Sequence, residues 1–142
     1  MSNAPSTKGL ATMVVVVALG GALGTLLRDL SLRLESTAWY GAAIGGHGWA
    51  SRVPWILMLI NLVGVYLATV ALRGPLARRD AVDLTRLLII TGFFGGFTSY
   101  SSLYVAVGSL WHTSIPGALL LITAAVASGV AVAWLGARNG PE

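Results

Sequence analysis

Long apolar stretches alternate along this chain with short segments that hold most of its polar and charged residues. The apolar runs cover about residues 10–32, 53–72, 87–110 and 115–135. A bilayer core of about 30 Å is crossed by roughly 20 helical residues, so each run is long enough to span a membrane. The pattern predicts an all-α protein with four transmembrane helices over 10–138, a disordered N-terminus over 1–9 and a C-terminal tail over 139–142.

The first apolar run has a second interpretation. Lys8 precedes an apolar stretch that ends in Ala18-Leu-Gly-Gly21, features shared with secretory signal peptides. Because three more runs follow, the glycines are better explained as helix-packing surface. The loop over about 35–52 is rich in glycine and aromatic residues, which suits a membrane interface.

Composition supports a membrane location. The chain is 56% hydrophobic and only 10% charged, whereas soluble domains average about 25% charged residues. The absence of cysteine excludes disulfides, thiolate metal sites and cysteine nucleophiles. The net charge of +4 comes from basic residues at the ends of apolar runs, which does not favour nucleic-acid binding.

The distribution of these charges predicts an orientation. Four spans place both termini and the second loop on one side of the membrane. That side carries Lys8, Arg73, Arg78, Arg79, Arg86 and Arg138. The other side carries Arg33 and Arg52, and also Arg28 if that side chain leaves the membrane. The positive-inside rule therefore predicts a multi-pass plasma-membrane protein with both termini in the cytoplasm.

The third apolar run contains unusual chemistry for its position. Gly95 and Gly96 are followed by the hydroxyl residues Thr98, Ser99, Ser101 and Ser102. One interpretation is a small-residue face for helix packing, since hydroxyls can bond back to carbonyls one turn earlier. The other is a helix broken mid-membrane, whose freed backbone groups must be buried in protein or line a wet cavity. Freed carbonyls suit a small cation, and a half-helix N-terminus suits an anion.

Polar residues are few in the other spans. Asn61 in the second span either makes an interhelical hydrogen bond or lines a pathway. Arg28, at the end of the first, either reaches the interface to pair with Asp29 or lipid phosphate, or supplies positive potential at a pore mouth. The fourth span is nearly all small and aliphatic, so Ser128 is interpreted as part of a packing helix.

Enzymatic chemistry is not indicated. The sequence shows no carboxylate pair, metal-ligand cluster or triad with suitable spacing, so we expect no enzyme activity. Size also fits a small multidrug exporter, but proton-coupled export usually needs an acidic residue inside a span. Glu35 and Glu142 lie outside every predicted span, which disfavours that alternative.

Three segments together resemble the CrcB/Fluc family of fluoride channels. They are Gly20-Gly-Ala-Leu-Gly-x-x-x-Arg28, Asn61-x-x-Gly64 and Gly92-Phe-x-Gly-Gly-Phe-Thr-Ser99. The third is the specific one, and the resemblance covers nearly the whole chain. It implies a bacterial membrane protein that relieves fluoride toxicity by passive export. It also implies an antiparallel dimer, built from one dual-topology chain or from two related chains of opposite orientation.

The resemblance assigns a structural sodium ion and a pore-mouth residue. Gly95 and Thr98 match the positions whose main-chain carbonyls hold sodium at the broken third helix. Arg28 matches the arginine of the first span. A buried cation would offset the cost of drawing an anion into a low dielectric.

The resemblance also assigns the fluoride path. Asn61 matches an asparagine beside it, and Tyr100 and Leu103 match positions that are usually phenylalanine in the family. Aromatic ring edges carry partial positive charge and can contact an anion. The hydroxyls of Ser99 and Ser101 are donors that can replace water around the ion.

Differences from the family pattern at and near these positions bear on whether the chain forms a homodimer or a heterodimer. Leu103 has no ring, Tyr100 adds a hydroxyl, and Ile56 and Leu57 replace a Gly-Thr pair expected before the asparagine. With the charge bias towards one orientation, these differences favour a heterodimer with a related subunit over a homodimer. A non-conducting assembly subunit is the remaining alternative.

Overall fold

The computed structural model describes residues 7–36 and 53–139, and within these ranges the chain forms helices joined by turns. The helices are α1 (Thr7–Leu32), α2 (Trp55–Arg73), α3 (Leu84–Phe97), α4 (Tyr100–Trp111) and α5 (Ile115–Asn139). A 3₁₀ turn, Arg33–Ser36, follows α1. The predicted disordered start, most of the aromatic loop and most of the C-terminal tail, at 1–6, 37–52 and 140–142, lie outside the described residues.

Three helices are long and apolar enough to cross a membrane. They are α1 from Gly9, α2 and α5, and they correspond closely to the apolar runs 10–32, 53–72 and 115–135. The sequence prediction of an all-helical membrane protein is confirmed at this level. Most of their apolar side chains are exposed, including Val14 and Val130 at 60% and 66%. Lipid is the environment that suits such surfaces.

The third apolar run forms two helices rather than one. In α3, residues Leu87–Phe94 adopt π-helical hydrogen bonding between short α-helical ends. α3 ends at Phe97, and α4 begins at Tyr100. Gly95 and Gly96 are themselves helical, so the glycine pair lies before the interruption and not in it.

The turn before α3 is stabilised by Asp83. Its carboxylate accepts the main-chain N–H groups of Thr85 at 3.0 Å and Arg86 at 3.1 Å, which caps the helix N-terminus. The Arg79 guanidinium lies 3.1 Å from both carboxylate oxygens. The Arg86 N–H bond, followed by Arg79, lowers the pKa of Asp83 below its ordinary value of 3.8 despite some desolvation.

α1 and α3 pack backbone against backbone. Glycines line the contact on both helices: Gly20, Gly21, Gly24, Gly92 and Gly96. A Cβ added at Gly24 would stand 2.8 Å from the main-chain nitrogen of Phe97, and one at Gly92 would stand 2.8 Å from the Val17 carbonyl oxygen. Neither distance leaves room for a side chain, so the glycines set the separation of the two helices.

The interruption coincides with a change of neighbours. Before it, α3 packs mainly on α1; after it, α4 packs mainly on α5, which also lies along α2. The main buried cluster joins α4 and α5 to the segment that leads into α2. Its members are Val53, Leu103, Leu110, Ala118 and Leu121. The two residues between α3 and α4 therefore lie where the chain passes from one helix pair to the other.

Candidate ion-binding site

The backbone between α3 and α4 is extended at Thr98, with φ −85° and ψ 146°. The main-chain N–H of Thr98 still donates to the Phe94 carbonyl at 3.0 Å, and its hydroxyl donates to the same oxygen at 2.8 Å. Thr98 thus closes the last turn of α3 and then turns the chain away from the helix axis. A helix end leaves last-turn carbonyls without intrahelical donors, which creates polar backbone inside an apolar bundle.

Asn61 of α2 bonds to the backbone at this point. Its Oδ1 accepts the main-chain N–H of Ser99 at 2.8 Å, and its Nδ2 donates to the Ser99 carbonyl at 3.2 Å. These two bonds fix which end of the amide is oxygen, because the partners have opposite hydrogen-bonding roles. The Asn61 side chain thus bonds to both main-chain polar groups of Ser99.

Ser99 and Ser101 extend the polar group. Ser99 is buried, at 8% exposure, whereas Ser101 is exposed. Their hydroxyl oxygens lie 3.0 Å apart, within hydrogen-bond distance. A chain of polar atoms therefore runs from the amide of Asn61 through Ser99 to a hydroxyl on the surface of the isolated chain.

A small cavity lies beside this network. Its volume is about 30 Å³, which is enough to hold a water molecule or an ion of similar size. Four residues singled out in the sequence line it: Asn61, Thr98, Tyr100 and Leu103. Leu103 also belongs to the buried core, at 4% exposure, while Tyr100 is 57% exposed. The structure thus brings the second-span amide and the third-run residues together.

The fourth span also reaches this cavity, which its interpretation as a packing helix missed. Ser128 and Gly129 of α5 line the cavity opposite Tyr100, and a Cβ at Gly129 would stand 3.8 Å from the Tyr100 hydroxyl oxygen. The Ser128 hydroxyl donates to its own helix, 2.7 Å from the Ala124 carbonyl oxygen. A hydroxyl residue in a span made mostly of small and aliphatic residues was the available sequence signal.

Gly95 and Arg28 do not line the small cavity. Gly95 is exposed, and no heavy atom lies within 4 Å of the position its Cβ would take. Arg28 is half-buried on α1 and does not line the small cavity. Asp29 bonds to Arg33, with the Arg33 guanidinium 3.0 Å from its carboxylate, and in the described part of the chain it makes no ion pair with Arg28.

A larger cavity of about 390 Å³ lies at the end of the bundle where α2 begins and α4 ends. Its walls are almost wholly apolar: Val53, Trp55, Met58, Leu110, Ser114, Gly117, Leu120, Leu121 and Ala124. Ser114 is the one hydroxyl residue in its described lining, whereas Asn61, Thr98, Tyr100 and Ser128 all line the small cavity. The small cavity is therefore the better candidate for binding an ion.

Comparison with known proteins identifies the family of the chain. A family model described as CrcB-like protein, camphor resistance (CrcB), matches residues 15–137. The chain is 36% identical over 138 residues to fluoride-specific ion channel FluC 1 of Cutibacterium acnes, covering 87% of this chain and 81% of that protein. It is 34% identical over 128 residues to a fluoride-specific ion channel FluC of Variovorax paradoxus, covering 89% and 92%. A FluC of Thermus thermophilus is also 34% identical, over 127 residues, covering 89% and 91%. With its helices, its Asn61 contact and these relatives, the chain belongs to the CrcB family of membrane proteins.

Proposed function

We propose that this chain is a subunit of a fluoride-selective channel that exports fluoride passively and so relieves its toxicity. The observation that carries the proposal is the double hydrogen bond between Asn61 and Ser99 beside a cavity of about 30 Å³. The names of the relatives support the choice of ion.

Asn61 is suited to donate to an anion without losing its structural role. An amide nitrogen carries two N–H donors, and the Ser99 carbonyl accounts for one of them. The second N–H is then a donor held in a fixed direction by two bonds. Fluoride is a small, strong acceptor, so donors fixed in place can replace its water at little reorganisation cost.

Tyr100 and the serines supply the other contacts in this proposal. The phenol and its ring edge both present positive partial charge to an anion. Ser99 and Ser101 offer hydroxyls 3.0 Å apart that can rotate towards an ion. Leu103 forms an apolar wall, which excludes water and strengthens the electrostatic contacts inside.

A structural sodium ion is part of the same proposal. Neutral carbonyl oxygens are the ligands that hard cations accept, and α3 ends where such oxygens lose their helical donors. The carbonyls of Gly95 and Thr98 would hold the ion, and the open space around Gly95 leaves room for ligands from a second subunit. When bound, sodium supplies positive charge near the anion path.

We further propose that α3 and α4 form one membrane span interrupted mid-membrane, in an antiparallel dimer. One chain has too few helices to enclose a pore, so a homodimer or a heterodimer with a related subunit is required.

Both termini would be cytoplasmic. Gly136 of α5 packs on Thr69 of α2, which supports placing the basic ends of these helices on one side. Cysteines introduced near residue 5 should resist outside labelling in intact cells, and ready labelling would contradict this orientation.

The decisive assay is efflux of fluoride and of chloride from liposomes that hold the purified chain. We expect fluoride efflux without chloride leak, and loss of fluoride efflux in Asn61→Asp. That variant keeps the size and the acceptor for Ser99 but removes the donors and adds a negative charge. Asn139→Asp is the matched control, because Asn139 lies at the end of α5, where its amide donates to the Tyr66 hydroxyl at 3.5 Å.

The outcomes separate the alternatives. Undiminished fluoride efflux in Asn61→Asp would contradict the proposed path. If the wild-type chain alone gives no fluoride efflux, the assay is repeated together with a related chain from the same genome. Efflux that then depends on Asn61 supports the heterodimer, and efflux indifferent to Asn61 supports a non-conducting assembly subunit. Drug-driven proton release would instead support a multidrug exporter.

A further inference from the structure

Two tyrosines lie on one face of α4. Tyr100 and Tyr104 are four residues apart, which places their side chains one above the other on the helix. They are 57% and 65% exposed on the isolated chain. Tyr100 belongs to the proposed fluoride path, whereas nothing so far has given Tyr104 a role.

The phenol of Tyr104 has no hydrogen-bond partner within residues 7–36 and 53–139, and neither has that of Tyr100. Both side chains are exposed on the isolated chain, and on a helix inside a membrane hydrocarbon offers no water to take the place of a hydrogen-bond partner. Tyr66 of α2 differs, since its hydroxyl accepts from Asn139. The two α4 phenols therefore require a partner that the described chain does not supply.

The cavities indicate what that partner is. A second cavity of about 70 Å³ adjoins the one beside Asn61, and the two share Tyr100 and Leu103 as walls. Its remaining walls are Tyr104, Val107, Ile122 and Val126. Besides Tyr100, Tyr104 is the polar side chain in this lining. An ion that leaves the first cavity along α4 next meets the Tyr104 phenol.

We propose that Tyr104 is a further fluoride-binding residue, whose phenol donates a hydrogen bond to the ion one helical turn beyond Tyr100. The inference rests on the proposed function and extends it along α4. Successive donors spaced by about one helical turn let a small anion exchange partners while it crosses an apolar passage. The aliphatic walls keep competing donors away.

The first test compares Tyr104→Phe with the wild type by fluoride efflux from liposomes at equal protein density. The substitution removes only the hydroxyl oxygen, so the ring and its packing remain. We expect efflux to fall about tenfold, equivalent to about 1.4 kcal/mol, in line with a hydrogen bond to a charged group. Tyr66→Phe is the matched control, and its efflux should equal that of the wild type. Wild-type efflux in Tyr104→Phe would overturn the inference.

The second test does not depend on conduction. The chain contains four tyrosines, so 13Cζ-tyrosine labelling in lipid nanodiscs gives few NMR signals, assignable from single Tyr→Phe variants. Sodium fluoride, but not sodium chloride, should shift the Tyr104 and Tyr100 signals and leave Tyr66 unchanged. A Tyr104 signal that does not respond to fluoride would overturn the inference.

Together the tests separate this inference from the proposed function. If efflux depends on Asn61 but neither the Tyr104→Phe efflux nor the Tyr104 NMR signal changes, the channel proposal stands and the role of Tyr104 is rejected. A fluoride-specific Tyr104 shift in a chain that conducts nothing, alone or with its related chain, would reject conduction and retain the binding site.

Discussion

Gly95 and Gly96 are adjacent in sequence, yet the structure predicts opposite effects for the same substitution. A Cβ at Gly96 would overlap the Gly21 carbonyl oxygen and lie 3.0 Å from the Gly21 Cα. Because the obstacle is backbone, no side chain can rotate away, and α1 must move from α3. A Cβ at Gly95 would meet no heavy atom within 4 Å, and its φ of −63° and ψ of −36° suit alanine.

These contacts give a magnitude for each variant. Alanine in place of helical glycine gains about 1 kcal/mol from helix propensity. Overpacking costs about 1–3 kcal/mol, and a rigid backbone neighbour favours the upper end. Gly96→Ala should therefore lower the free energy of unfolding by about 2 kcal/mol, and Gly95→Ala should raise it by about 1 kcal/mol.

The assay is unfolding of each purified variant by sodium dodecyl sulfate in maltoside micelles, followed by circular dichroism. The protein is kept dilute enough in the micelles to stay monomeric. Unfolding then reports the contact between α1 and α3 without contributions from a second subunit. Equal stability of Gly96→Ala and Gly95→Ala would refute the backbone contact described here. A loss in Gly95→Ala that appears only at high protein density would instead show that another subunit covers Gly95.

Three further changes test other parts of the structure. Gly64→Ala should destabilise the chain by about 1–3 kcal/mol in the same unfolding assay, because its Cβ would lie 2.5 Å from Thr98 Cγ2; wild-type stability would contradict that packing. Ser128→Ala should change stability by less than about 0.5 kcal/mol but lower fluoride efflux, since the hydroxyl lines the small cavity; unchanged efflux would remove Ser128 from the path. Asp83 has a lowered pKa, so its stabilisation is present above the ordinary value of 3.8 and is lost as pH falls through the lowered value. Asp83→Asn should therefore reduce the loss of unfolding free energy that the wild type shows as the pH is lowered. A loss equal to that of the wild type would exclude the Asp83 cap as its cause.

The long apolar runs could be predicted from sequence because bilayer thickness fixes helix length. Their observed ends, such as Leu32 and Arg73, differ little from the expected ones. The π-helical hydrogen bonding of Leu87–Phe94 was not predicted, since nothing in local apolar periodicity distinguishes it from an α-helix. Its glycines fit close to α1, which is a tertiary effect.

The candidate site was predictable to a smaller extent. The family motif brought Asn61 and Thr98 to attention, but the bond from Asn61 to Ser99 joins residues 38 positions apart and has no local signature. The sequence left the glycine pair open between a helix-packing face and a helix break, and in the structure Gly96 packs closely on α1. Ser128 was passed over because a hydroxyl in an apolar span commonly bonds to its own helix, which it also does here.

The division of the third apolar run has a consequence for how the protein is made. At 1.5 Å per residue, α3 is about 20 Å long and α4, with 12 residues, about 18 Å, so neither matches a hydrocarbon core of about 30 Å. Neither half is a good independent substrate for the insertion machinery. α3 must be retained at the lateral gate until α4 emerges from the ribosome, or enter lipid already docked on α1. Folding of this bundle is therefore coupled to its biosynthetic insertion.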